Sequence, residues 1–209
     1  MKQQTSLQGL YVITDQQLTH HSQLLNKVEQ AILGGCGIVQ YRDKSSDQKK
    51  RLQQAQELKK LCQQHQALLI INDDIELAHN AKADGVHLGK DDNSIYQARA
   101  HLGADSIIGV SCYNDLALAI DAQQQGADYV AFGSFFASAI KPHAPRADIE
   151  LLKCARQQLN IPVAAIGGID LDNASDLIAA GADMLAVISA VFATEDSNNA
   201  AREFSRLFK

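Results

Sequence analysis

The chain has 209 residues, 46% hydrophobic and 21% charged, with a formal net charge of −5. That length favours one domain, residues 1–209, able to bury a sizeable core, and the acidic balance argues against nucleic acid as a partner while a local basic cluster can still hold a phosphate. The polar start, Met1 to Leu7, carries no secretory signal and no apolar run is long enough for a bilayer, so the protein is expected in the cytoplasm, with no membrane partner.

Eight short apolar runs punctuate the chain. They are Tyr11–Ile13, Ile38–Tyr41, Leu68–Ile71, Val86–Leu88, Ile107–Val110, Tyr129–Phe132, Val163–Ile166 and Met184–Ile188. Continuous apolar runs of this length are what strands buried on both faces look like. Between them lie helical stretches. Residues Asp47 to Gln64 put Leu52, Ala55, Leu58 and Leu61 or Cys62 on one face. Asp115 to Gln125, Asp148 to Leu159 and Asn173 to Ala180 behave alike. A small repeat marks the junctions: Gly103-Ala104-Asp105, Gly126-Ala127-Asp128 and Gly181-Ala182-Asp183, with Ala83-Asp84-Gly85 a variant. Glycine there suits the left-handed residue that ends a helix. Alternating strands and helices predict a parallel sheet. Eight of them fit a closed (β/α)8 TIM barrel better than an open doubly wound sheet, whose glycine fingerprint is absent after the first strand. The four cysteines, Cys36, Cys62, Cys112 and Cys154, have no paired or zinc spacing and read as isolated buried thiols.

In such barrels the active site lies at the C-terminal ends of the strands, so the polar residues after each run carry the function. After the second strand, alternation sends Gln40, Arg42 and Lys44 to one face. Two cations and an amide there suit a phosphate or pyrophosphate. After the third strand, Asn72-Asp73-Asp74 reads either as a helix cap, with Asp74 the better cap, or as a functional group. Asp73 and Asp92, after neighbouring strands, are a carboxylate pair suited to Mg2+. His87, inside the fourth run, reads as a satisfied core histidine before it reads as a base.

Ser111, after the fifth strand, can bond a substrate or a turn, and it lacks the His/Asp partners of a nucleophile. The long loop after the sixth strand, residues 133–146, is a lid candidate and adds Lys141 to the cationic group. After the last two strands, Gly167-Gly168 and Ile188-Ser189 stand where barrels bind phosphate through backbone N–H groups. The chain therefore offers two anion regions, one cationic (Arg42, Lys44, Lys141) and one of backbone groups (Gly168, Ser189), which predicts two phosphorylated small-molecule substrates.

Gln-x-Arg-x-Lys, Asn-Asp, Gly-Val-His-Leu-Gly-x-x-Asp, Gly-Val-Ser, Tyr-Val-x-x-Gly with a following lysine, Ile-Gly-Gly-Ile and Ala-Val-Ile-Ser occur in that order. This ordered set, from about Tyr11 to Phe192, resembles the thiamine phosphate synthase family. The resemblance implies a (β/α)8 transferase that joins hydroxymethylpyrimidine pyrophosphate to hydroxyethylthiazole phosphate. It implies that Gln40, Arg42, Lys44, Asn72, Ser111 and Lys141 contact the pyrimidine pyrophosphate. It also implies that Asp73 and Asp92 hold Mg2+, and that Gly168, Ile188 and Ser189 take the thiazole phosphate. No side-chain nucleophile is required. The family's Thr-Pro-Thr-Lys is here Ser138-Ala139-Ile140-Lys141. Ser138 keeps a hydroxyl on the thiazole side, while Ile140 leaves a bond there either missing or supplied by backbone. Ser134 replaces the proline usual after the loop glycine. A related thiazole tautomerase is the nearest alternative, though Tyr113-Asn114 stands where that enzyme's histidine is sought. A non-catalytic phosphate-ligand sensor is the other. These features also allow a homo-oligomer.

Overall fold

The structure is a computed structural model, and it describes residues 7–20, 22–89, 94–137 and 146–209. Eight parallel strands close into one barrel in chain order. They are β1 (Gly9–Ile13), β2 (Ile38–Tyr41), β3 (Leu68–Asn72), β4 (Gly85–Leu88), β5 (Ile107–Tyr113), β6 (Tyr129–Phe132), β7 (Val163–Ile166) and β8 (Met184–Val187). The pairing of β1 with β8, Leu10 against Leu185, closes the ring. Helices α1 (Leu24–Leu33), α2 (Gln48–Gln64), α3 (Ile75–Ala81), α4 (Ile95–Leu102), α5 (Leu116–Gln124), α6 (Glu150–Gln158), α7 (Ala174–Ala179) and α8 (Ser189–Phe192) follow the strands, and α9 (Ser197–Arg206) ends the chain. The expected (β/α)8 barrel is the fold observed. Among the described residues, no helix is long and apolar enough to cross a membrane.

The strands are apolar on both faces because both faces are covered. Alternate residues, among them Tyr11, Ile38, Ile70, Tyr129 and Met184, fill the barrel. Their neighbours, such as Val12, Val39, Leu69, Val130 and Leu185, pack under the helices. Each large side chain buried this way stabilises the fold by about 1.5–3 kcal/mol before entropy is charged. On α2, Ala55, Leu58 and Cys62 face the sheet as the spacing predicts, and Asp47 caps the helix by accepting from Lys50 N. Gln54 is buried on the same face, where its Oε1 accepts from Tyr41 Oη at 2.7 Å. Cys36, Cys62 and Cys112 are buried, and burial pushes their thiols up to about 12. Cys154 is exposed, on α6, which corrects the expectation for that residue.

The junction repeat has a structural meaning beyond helix termination. Asp84, Asp128 and Asp183 precede β4, β6 and β8. Each carboxylate accepts from a backbone N–H of the preceding strand: Leu69 at 2.8 Å, Ile108 at 2.7 Å and Val163 at 2.9 Å. Each is also paired with a cation on α2, α4 or α6: Lys59 at 2.6 Å, Arg99 at 2.7 Å and Arg156 at 3.5 Å. The aspartates thus pin the N-terminal end of the barrel, opposite the site. Asp105 stays exposed, so that copy of the repeat keeps the helix-ending glycine, Gly103 at φ 94, without the buried carboxylate.

Candidate active site

The C-terminal mouth collects most of the residues singled out. Gln40 is buried, and its Nε2 donates to Tyr11 Oη at 2.6 Å inside the barrel. Arg42 follows it, its backbone N–H donating to Thr14 Oγ1 at 2.9 Å. Among the described residues, no carboxylate forms an ion pair with Arg42. Lys44 is exposed and forms an ion pair with Asp73. Gln40 thus faces the barrel interior, and Lys44 reaches across to Asp73 after β3.

The intervening residue, Asp43, was not among those singled out. It points the other way, towards α2, and is 8% exposed. Its carboxylate accepts from Ser45 N at 2.7 Å and Lys50 Nζ at 2.8 Å, and from Gln16 Nε2. Burial pushes this carboxyl up, but the bonds from Lys50 and Ser45 outweigh it and hold the group below its ordinary value. Asp43 therefore fastens the segment that carries Arg42 and Lys44. The same alternation that exposes its neighbours would have flagged it.

The two aspartates after β3 divide the roles that sequence left open. Asp74 is the cap of α3: its Oδ1 accepts from Leu77 N at 2.9 Å, and Arg51 pairs with Oδ2 at 2.9 Å. Asp73 sits at φ 63, and the Asp74 N–H donates across it to Asn72 O at 2.8 Å. That tight turn, unusual for a non-glycine residue, brings the Asp73 carboxylate to Lys44 rather than to the helix. Asn72 ends β3, paired with His87 of β4. His87 is 8% exposed; its Nδ1 shares a hydrogen bond with Tyr129 Oη and its Nε2 one with Ser111 Oγ, both at 2.9 Å. The histidine is thus a bonded interior residue.

Asp92, Ser138, Ile140 and Lys141 lie outside the described residues. Among the described residues, no group of three His, Cys, Asp or Glu side chains could hold a metal. Asp73 nevertheless suits Mg2+, which takes one or two carboxylates and fills its remaining positions with water and substrate phosphate.

The other half of the mouth is backbone. Gly167 and Gly168 have φ 104 and 66. A Cβ at Gly168 would lie 2.3 Å from Ala137 O, and one at Gly167 would lie 2.1 Å from Ser134 Oγ. The segment after β6 lies directly on this turn, with Phe136 N donating to Gly167 O at 2.9 Å. Ile188 is the residue before α8, and Ser189 opens that helix, where the first backbone N–H groups have no partner within the helix. Lys27 of α1 secures the far end of α8, its Nζ donating to Phe192 O at 2.8 Å. Gly168 and Ser189 thus stand on adjacent strand ends, apart from the cationic group.

The family model described as thiamine monophosphate synthase matches residues 10–191. The chain belongs to the thiamine monophosphate synthase family. It is 50% identical over 204 residues to the thiamine-phosphate synthase of Nitrosococcus oceani, covering 98% of this chain and 94% of that one. It is 52% identical over 202 residues to the thiamine-phosphate synthase of Methylobacillus flagellatus, covering 97% and 96%. Among solved structures, the thiamine phosphate pyrophosphorylase from Pyrococcus furiosus superposes with a TM-score of 0.86 at 35% identity, over 95% of this chain and 94% of that one. Family membership extends across the whole barrel, both halves of the mouth included.

Proposed function

We infer that this chain is a thiamine-phosphate synthase, a transferase that joins hydroxymethylpyrimidine pyrophosphate to hydroxyethylthiazole phosphate and releases pyrophosphate. The names of its close relatives support this reading over a tautomerase or a sensor. The observation that carries it is the division of the mouth. Arg42, Lys44 and Asp73 lie on one side, Gly168 and Ser189 on the other. Ser111 does have a histidine partner, His87, which sequence did not foresee, but the other ring nitrogen of His87 meets Tyr129 and not the carboxylate of a catalytic triad. Burial holds the Cys112 thiol at about 12, so it supplies no thiolate.

In the proposed reaction Arg42 and Lys44 bind the pyrophosphate, Arg42 as a fork and Lys44 as a point charge. Lys141 adds a third cation. Gln40, Asn72 and Ser111 hold the pyrimidine. Mg2+ bound through Asp73 and Asp92 would neutralise charge building on the leaving group. The bond between the pyrimidine methylene and the pyrophosphate oxygen breaks, and its electron pair leaves with pyrophosphate. The aminopyrimidine ring delocalises the resulting cation. The thiazole nitrogen then donates its lone pair to the methylene carbon. No proton transfer is needed. Backbone groups at Gly168 and Ser189, with Ile188 and the loop residues Ser138 and Ile140, hold the thiazole phosphate and present the ring. Alignment of the two substrates supplies much of the acceleration. We place the enzyme in the cytoplasm.

The test is direct. Purified protein with both substrates and Mg2+ should form thiamine phosphate, identified by mass, in equal amount to pyrophosphate. Absence of product under those conditions would refute the reading.

A further inference from the structure

The interior of the barrel should be apolar, yet five residues, joined by four hydrogen bonds, form a continuous polar chain across it from Gln40 to Ser111. Gln40 Nε2 donates to Tyr11 Oη at 2.6 Å. Tyr11 Oη shares a hydrogen bond with Tyr129 Oη at 2.8 Å. Tyr129 Oη meets His87 Nδ1 at 2.9 Å, and His87 Nε2 meets Ser111 Oγ at 2.9 Å. Tyr11 is 1% exposed and Tyr129 is fully buried. The rings lock one another: Tyr11 and Tyr129 meet edge to face at 6.0 Å, and His87 stacks on Tyr129 at 5.5 Å. Gly109 on β5 is what admits this arrangement, since a Cβ there would lie 2.0 Å from Tyr129 Cζ and 2.4 Å from its hydroxyl. A phenylalanine pair would fill the same volume without burying two hydroxyls. The chain is therefore built for something other than packing.

Its protons are ordered. Each tyrosine has one proton to give, and neutral His87 has one. With Gln40 donating, the buried Tyr11 proton is left bonded only if Tyr11 donates to Tyr129; Tyr129 then donates to His87 Nδ1, and His87 Nε2 to Ser111. The Ser111 proton is then available to a ligand, and the Gln40 amide oxygen is the acceptor at the other end. Reversing one bond reverses all four and flips the amide. Either way the two ends present opposite polarity. A heteroaromatic ring with a donor beside an acceptor, such as an exocyclic amine next to a ring nitrogen, matches that pattern.

We propose that Tyr11, Tyr129 and His87 are positioning residues that tie Gln40 to Ser111, so that the pair recognises the aminopyrimidine ring as one unit. This rests on the synthase reading above and extends it to residues that touch no substrate. It separates the pyrimidine side from the thiazole side, because the chain passes by neither Gly168 nor Ser189.

Steady-state kinetics with both substrates tests it, run well below the melting temperature of every variant. Tyr129→Phe keeps the ring and cuts the chain. It should raise KM for the pyrimidine pyrophosphate about tenfold, the scale of one misdirected hydrogen bond, and leave KM for the thiazole phosphate within about twofold. Tyr11→Phe, one link away, should do the same. Ser111→Ala combined with Tyr129→Phe should cost no more than the worse single change, because both act through one contact. An unchanged pyrimidine KM, an equal rise for both substrates, or effects that multiply in the double variant would overturn the proposal. Failure of the wild-type protein to turn over would instead remove the synthase reading on which it stands.

Discussion

Gly168 gives the sharpest quantitative prediction, because two separate costs meet at one residue. Its φ of 66 lies in the left-handed region, where a side chain costs about 1–2 kcal/mol. A Cβ would also lie 2.3 Å from Ala137 O and 2.7 Å from Phe136 C. Both are backbone atoms, so no rotamer change relieves the contact, and overpacking of this kind costs about 1–3 kcal/mol. Gly168→Ala should therefore lose about 2–5 kcal/mol, which lowers the melting temperature by about 4–20 °C in a protein of this size. Two other glycines separate the contributions. Gly126 has φ 93 but open space around its Cβ position, so Gly126→Ala should show the backbone cost alone. Gly37 has open space and no positive φ, so Gly37→Ala should be neutral within about 0.5 kcal/mol. Thermal unfolding followed by circular dichroism reads all three. At the site, Gly168→Ala moves the backbone assigned to the thiazole phosphate, so KM should rise for that substrate and not for the pyrimidine pyrophosphate. Equal melting temperatures for Gly168→Ala and Gly37→Ala would refute the reasoning.

Three more predictions follow from the cationic half and the barrel floor. Asp43 is held below its ordinary pKa, so its contribution to stability is full above the unfolded carboxylate value and lost as pH falls through the folded one; acid unfolding of wild type and Asp43→Asn should differ near neutral pH and converge in strong acid, and a constant difference at every pH would contradict this. Asp74→Ala removes the α3 cap and should cost about 0.5–2 kcal/mol in urea unfolding, whereas Asp73→Asn should raise the Mg2+ concentration needed for half-maximal turnover with little change in stability; the reverse pattern would exchange their roles. Asp128→Ala leaves the Ile108 N–H without its 2.7 Å partner and should lose about 1–3 kcal/mol, while Asp105→Ala, at an exposed residue, should stay within about 0.5 kcal/mol.

The barrel was legible because both faces of each strand are buried, which writes continuous apolar runs such as Val163–Ile166 into the chain. The helix faces were legible from spacing, as at Ala55, Leu58 and Cys62. The candidate mouth residues came from alternation and from the rule that barrel chemistry sits at strand ends. What stayed hidden depends on contacts distant in sequence. Alternation turns Asp43 away from the mouth, but its partners Lys50 and Gln16 show only in the fold. The polar chain through Tyr11 and Tyr129 joins residues 118 apart, and tyrosine in an apolar strand reads as packing. Lys27, on α1, acts on α8 through a carbonyl, which leaves no residue signature. Helix α9 lies beyond the eight strands that organise the pattern. The aspartates at the strand junctions were visible as a repeat, but their bonds to the neighbouring strand were not.

The central claim is that two anions are held on opposite sides of one mouth by different chemistry, and a crystal structure with thiamine phosphate and pyrophosphate bound tests it most directly. The account predicts pyrophosphate against Arg42 and Lys44, with the metal at Asp73, and the ester phosphate on the backbone N–H groups near Gly168 and Ser189. Both anions on one side, or the ester phosphate held by Arg42 and Lys44, would contradict it.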